Sequence, residues 1–199
     1  MKTRCKALLL SLCAVLLVTV SVLGTMAYLT DKDQVVNSFT VGSVAITLDE
    51  LDVTKTDGSR TDANTYHLLP GHKYDKDPTV HVKPVSEDSW LFVKVENDIA
   101  AYEAATEEGG YTSIADQIIA NEWTKLAGVD NVYYKSYAKN DAGADLVVFE
   151  KFQIADEANK VKGWADITSD TTKVTVTAYA VQKDGFDTAL AAWNVTFGK

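Results

Sequence analysis

Through most of the chain, apolar and polar residues alternate one for one. In Val174-Thr175-Val176-Thr177-Ala178-Tyr179-Ala180 small apolar residues hold one face and threonines with a tyrosine the other, as in a half-buried strand. Val80-His81-Val82-Lys83 and Trp90-Leu91-Phe92-Val93-Lys94-Val95-Glu96 follow the same period, and strand-like runs recur over 131–137 and 146–154. A slip of one residue would turn a strand's whole apolar set toward water, so Leu91, Val93 and Val95 are expected to face inward with Val174 and Val176. Nearer the N-terminus, Phe39 and Val41 fall on odd positions while Val44, Ile46 and Leu48 fall on even ones. One face stays apolar there only if a residue is inserted, which predicts a β-bulge at Gly42-Ser43.

Breakers separate these runs. Asp57-Gly58, Pro70-Gly71, Gly109-Gly110 and Asp184-Gly185 are turn signals, and Pro78 and Pro84 bracket one short strand and disfavour a central place for its ends. Two short helices interrupt the pattern. Ser113 and Asp116 fit a capping box ahead of Ile114, Ile118, Trp123 and Leu126 at approximate helical spacing, with Ile119 broadening the apolar face. Asp187 is a candidate cap for a turn opened by Thr188-Ala189-Leu190, between Phe186 and Trp193. Many short strands with two inserted or terminal helices predict an all-β-dominated fold, a β-sandwich with Greek-key or jelly-roll connections.

The N-terminus breaks the alternation. Lys2, Arg4 and Lys6 precede an almost unbroken apolar run from Ala7 to Leu23, and Gly24-Thr25-Met26-Ala27 places small residues one and three positions before Tyr28. This is the pattern of a signal-peptide helix, residues 1–27, cut by a signal peptidase between Ala27 and Tyr28; uncleaved, the run is a membrane anchor and the chain's one membrane contact. Both cysteines, Cys5 and Cys13, would leave with it, so residues 28–199 form a single domain held by its core and not by disulfides. The 199-residue chain is acidic, with 19 basic and 28 acidic residues and a formal charge of −9. With no basic stripe, nucleic acid is a poor partner.

The search for chemistry is mostly negative. The sequence has no His-Glu-x-x-His, Gly-x-Ser-x-Gly, phosphate loop, dinucleotide fingerprint or Asp-x-Asp-x-Asp-Gly calcium loop, and no catalytic residue or cofactor is assigned. His67, His72 and His81 lack the tight pairing of zinc ligands and read as loop and strand residues. The acidic pairs Asp31/Asp33, Asp75/Asp77 and Glu87/Asp88 offer at most weak calcium binding, and a solvated acidic surface is the better explanation for an exported acidic protein. Tyr133, Tyr134 and Tyr137 with Trp123 and Trp164 have the makings of a sugar-stacking face, against which stands core and cross-strand packing.

Residues 24–31, Gly-Thr-Met-Ala-Tyr-Leu-Thr-Asp, followed by Asn37-Ser38-Phe39-Thr40-Val41-Gly42, resemble the start of the TasA/camelysin family of exported Gram-positive proteins, whose signal peptides are of the SipW type. The resemblance continues in Leu69-Pro70-Gly71-His72, in Lys76-Asp77-Pro78-Thr79-Val80, over 123–134, and in Ala178-Tyr179-Ala180-Val181-Gln182 leading to Gly185-Phe186-Asp187. It implies a jelly-roll-like sandwich and, for the TasA branch, a secreted subunit of extracellular biofilm fibres whose mature N-terminal segment is donated as a strand to the next subunit. On that reading residues 28–48 leave their own globule, and Phe39, Val41, Val44 and Ile46 fill alternate pockets of another copy or a related matrix subunit. Head-to-tail contacts of that kind build filaments. The camelysin branch implies a surface metalloprotease, for which the sequence has no recognisable zinc motif; a monomeric adhesin is the third reading.

Overall fold

The computed structural model describes residues 6, 10–18, 43–105, 110–168 and 172–198. The chain divides into two units, Met1–Thr40 and Val41–Lys199. In the first, residues 10–18 are helical. No helix among the described residues is long and apolar enough to cross a membrane.

The second unit carries ten strands and two α-helices in the order β1 (Ile46–Leu51), β2 (Arg60–Thr61), β3 (Lys73–Asp75), β4 (Thr79–Val82), β5 (Ser89–Asn97), α1 (Ile114–Ala120), β6 (Thr124–Lys125), β7 (Val132–Tyr137), β8 (Ala144–Val147), β9 (Lys151–Gln153), β10 (Val174–Gln182) and α2 (Ala189–Thr196). Two 3₁₀ turns, Ala158–Lys160 and Trp164–Asp166, precede β10. All pairings are antiparallel. One sheet has the order β2-β1-β4-β8, a second β10-β5-β7-β6, and β3 pairs with β9 in a small third. The all-β-dominated class is therefore as the alternation predicts.

The inner faces of the two four-stranded sheets share one core. Val80 and Val82 from the first meet Leu91, Val93, Val95, Tyr133 and Tyr137 from the second, with Val174, Val176, Ala178 and Ala180 packed at the margin. The inward set expected from the period is the observed one, since Leu91 and Val93 are fully buried. The second sheet is also covered on its outer face: Phe92, Leu126 and Val132 pack under Ala189, Ala192 and Trp193 of α2, and Tyr179 and Val181 join them. This is why both parities are apolar from Trp90 to Val93 and polar residues take up the alternation only at Lys94, for a stretch of strand buried on both faces has no polar side.

The helices differ from the sequence reading at their ends. Ser113 caps the helix, its Oγ accepting from the Asp116 amide at 3.1 Å, while its hydroxyl, and not its amide as in a full capping box, donates to the Asp116 carboxylate at 2.7 Å. The helix stops at Ala120, however, and Glu122 takes a φ of +63° that ends the helical path. Trp123 and Leu126 therefore lie beyond α1; Trp123 is buried and donates its indole N–H to the Val147 carbonyl at 3.0 Å, while Leu126 belongs to the cluster under α2. The cap of α2 is Thr188, whose Oγ1 accepts from Ala191 N–H at 3.2 Å, and not Asp187. A second correction concerns the strand between Pro78 and Pro84. β4 is central, flanked by β1 and β8, because both prolines lie just outside the ladder, where no donor is needed.

Candidate functional site

The second unit has a cleft of about 910 Å³ along the end of β1, the segment 62–68, and the start of β10. Its walls are mixed: Leu48, Leu68, Val174 and Val176 stand beside Asn64, Thr65, Thr172 and Lys173. Its aromatic side is held by ring contacts, with Tyr66 edge-on to Phe152 at 5.2 Å and Tyr74 stacked on Phe152 at 4.9 Å. The Tyr66 hydroxyl donates to the Asp75 carbonyl at 2.9 Å, and burial, with the nearby charge of Glu50, pushes this phenol well above its ordinary value. Trp164, from the 3₁₀ turn, lines the cleft and packs edge-on to Tyr102 at 5.6 Å.

Two charged groups sit on the cleft floor. Lys76 Nζ lies 2.5 Å from Glu50 Oε2, and Glu50 Oε1 also accepts from the Asn64 amide at 3.0 Å. Glu50 is one of few charged residues in the core, tolerable there because each carboxylate oxygen has a donor.

The edge of β10 runs into this cleft. At one end of its ladder Asp98 N–H donates to the Lys173 carbonyl and at the other Lys183 N–H donates to the Asp88 carbonyl, so the odd-numbered residues of β10 bond to β5. The amides of Val174, Val176, Ala178 and Ala180 point to the other edge, on which no strand among the described residues is paired.

A second polar constellation lies on the first sheet. His81 Nδ1 is 2.6 Å from Asp145 Oδ1 on β8 and Nε2 is 2.9 Å from Asp49 Oδ1 on β1. Arg60 pairs with Asp49 and, at 3.1 Å, with Asp77, so five side chains link all four strands. Burial pulls the imidazole down, but the hydrogen bonds and charges of Asp145 and Asp49 outweigh it and raise His81 above its ordinary value. Burial likewise pushes the Asp49 carboxyl up, and Arg60 and His81 outweigh it, leaving Asp49 low.

The residues singled out by sequence divide as follows. Ala27, Tyr28, Phe39 and Val41, the acids Asp31 and Asp33, and the expected bulge at Gly42 lie outside the described residues. Val44 is half-buried, and Ile46 begins β1 opposite Val82 of its own sheet and packs on its own core. Ser43 and Ala45 are also tied down, with Glu87 N–H donating to the Ser43 carbonyl and Lys83 N–H to that of Ala45. Within the expected donor segment 28–48, the chain from Ser43 onward is here paired within its own fold. The three histidines are not brought together; His72 Nδ1 is engaged with the Pro70 carbonyl at 3.0 Å, and His67 lines the cleft. Among the described residues no cluster of three histidine, cysteine or carboxylate ligands occurs. Asp77 binds Arg60 and the Leu51 amide, while Glu87 pairs with Lys139. The aromatic residues do not form one face either. Trp123, Tyr133 and Tyr137 are buried, Tyr134 packs on Trp90 beneath α2, and Trp164 alone of the five reaches the cleft.

Glu50, Lys76, Asp49 and Asp145 escaped the linear reading. Glu50 and Lys76 are 26 positions apart and meet only through folding, so no spacing rule could announce them. The one usable signal was the acid on a predicted strand's inward parity, since Glu50 shares that of Ile46 and Leu48. No family model, curated protein or solved structure matches the chain.

Proposed function

We propose that the protein is an exported structural subunit of an extracellular matrix or cell-surface assembly, joined copy to copy by strand donation. Cleavage between Ala27 and Tyr28 by a signal peptidase frees the donor, which on this reading is the stretch from Tyr28 to Gly42 with Phe39 and Val41 as its anchors. The observation that carries the proposal is the edge of β10, nine residues long and, among the described residues, laddered on one side, beside a cleft with apolar and polar walls. An extended segment of a second copy would find, at Val174 and Val176, amides on an edge that no described strand pairs with, beside the apolar side chains of Leu48 and Leu68. The sandwich arrangement of the two sheets, its jelly-roll-like connectivity and the resemblance to TasA in residues 24–42 belong to the same reading.

The experiment compares the chain beginning at Tyr28 with one beginning at Ser43, by sedimentation and electron microscopy. Filaments from the first and monomers from the second support donation. Filaments from both, or from neither, overturn it, and zinc found in the purified protein with proteolysis would favour the metalloprotease reading.

A further inference from the structure

The side chains of His81, Asp49 and Asp145 form a chain across three neighbouring strands, and its centre has the wrong number of hydrogens for one protonation state. Both carboxylates can only accept. An imidazolium donates from both ring nitrogens and satisfies Asp145 at 2.6 Å and Asp49 at 2.9 Å together. A neutral imidazole keeps one N–H, and its other nitrogen then presents a lone pair to a carboxylate. We propose that His81 is a proton-operated clasp that fastens the edge strand β8 to its sheet when protonated and releases it when neutral.

The geometry decides which side lets go. Asp49 keeps Arg60 as a second partner, whereas the Asp145 side chain is 76% exposed and turns readily to water. β8 is four residues long and ladders to β4 alone. Val148 N–H donates to the Pro78 carbonyl, so the backbone bonds of β8 come from even-numbered residues and the His81–Asp145 pair occupies a non-bonded position, where opposing side chains stand closest. The other charges on this face are Arg60 with its second partner Asp77 and, by alternation along β4, Lys83. The direction follows from the imidazole: the clasp is closed below the ordinary histidine range and opens as the pH rises through the raised native value. This inference does not depend on strand donation.

The test is amide hydrogen exchange of the full chain across the His81 titration, itself followed by imidazole NMR. After correction for intrinsic exchange, protection at Ala144 and Leu146 relative to Leu91 should fall about two- to fivefold as His81 loses its proton, the effect of one exposed ion pair. His81→Gln and Asp145→Asn should both remove that dependence, since an amide both donates and accepts. If His81→Gln does not fold, Asp145→Asn decides the matter, because its side chain is at the surface. Protection that ignores the titration in the wild type, or that varies equally in Asp145→Asn, overturns the clasp.

Discussion

Lys76 Nζ stands 2.5 Å from Glu50 Oε2 with the two side chains only 11% and 5% exposed, so the cleft floor is an ion pair almost withdrawn from water. Removing one partner leaves the other charged and uncompensated. Lys76→Met should therefore lower stability by about 3–5 kcal/mol, whereas the double replacement Glu50→Gln with Lys76→Met should regain much of that loss. Urea unfolding of the three chains measures both effects, and additive losses would contradict the pairing.

The two faces of β5 give a sharper contrast. Val93 is fully buried between the sheets, while Lys94 is partly exposed and paired with Glu96 at 2.7 Å. Val93→Asp buries an unpaired carboxylate and should cost more than about 4 kcal/mol, enough to unfold a marginal domain. Lys94→Asp should leave the melting temperature close to wild type. Equal melting of the two variants would refute the assigned faces.

Period-two alternation was enough to locate β4, β5 and β10 and to orient them, because burying one face of a strand constrains every second residue. The helix at 114–120 was legible from Ser113 and Asp116, but its end was not: Trp123 is apolar for the core it enters and happens to continue the helical spacing. The short strands β2, β3 and β9 carry two or three residues each, too few to show a period. The cleft was invisible for a different reason. Leu48, Tyr66, Trp164 and Val174 come from four separate stretches, and no local rule joins them.

Ile46 and Phe39 are now separable by experiment. Ile46 is laddered to Val82 and packs on its own core, so Ile46→Asp should lower the melting temperature of the monomer, with about 2 kcal/mol lost in burial before the cost of the charge. Paired replacement of Phe39 and Val41 by aspartate should leave monomer melting unchanged and abolish sedimenting assemblies. A fall in monomer melting for the second variant would return residues 39–41 to their own fold.

Acid should loosen the loop after β1 only well below the ordinary carboxylate range. Hydrogen bonds from the Thr54 hydroxyl, Lys55 and the Thr54 amide hold the Asp52 carboxyl down to about 2. Since the native value lies below that of the unfolded chain, its contribution is complete above about pH 4 and fades as the pH falls toward the native value. The Thr54 amide resonance should report a midpoint near 2 in the wild type and no titration in Asp52→Asn. A midpoint near that of a free carboxyl would show the loop to be open.

The anchoring of residues 43–49 also fixes how the domain meets a pull. Tension entering at Ser43 along the axis of β1 is carried by the Ser43 and Ala45 carbonyls and by the hydrogen-bonded positions Thr47↔His81 and Asp49↔Thr79. These bonds lie across the direction of the load, so they are strained together in shear and do not open in succession like a zip. A pull applied at Ser43 along that axis therefore meets the β1–β4 ladder before any other part of the fold.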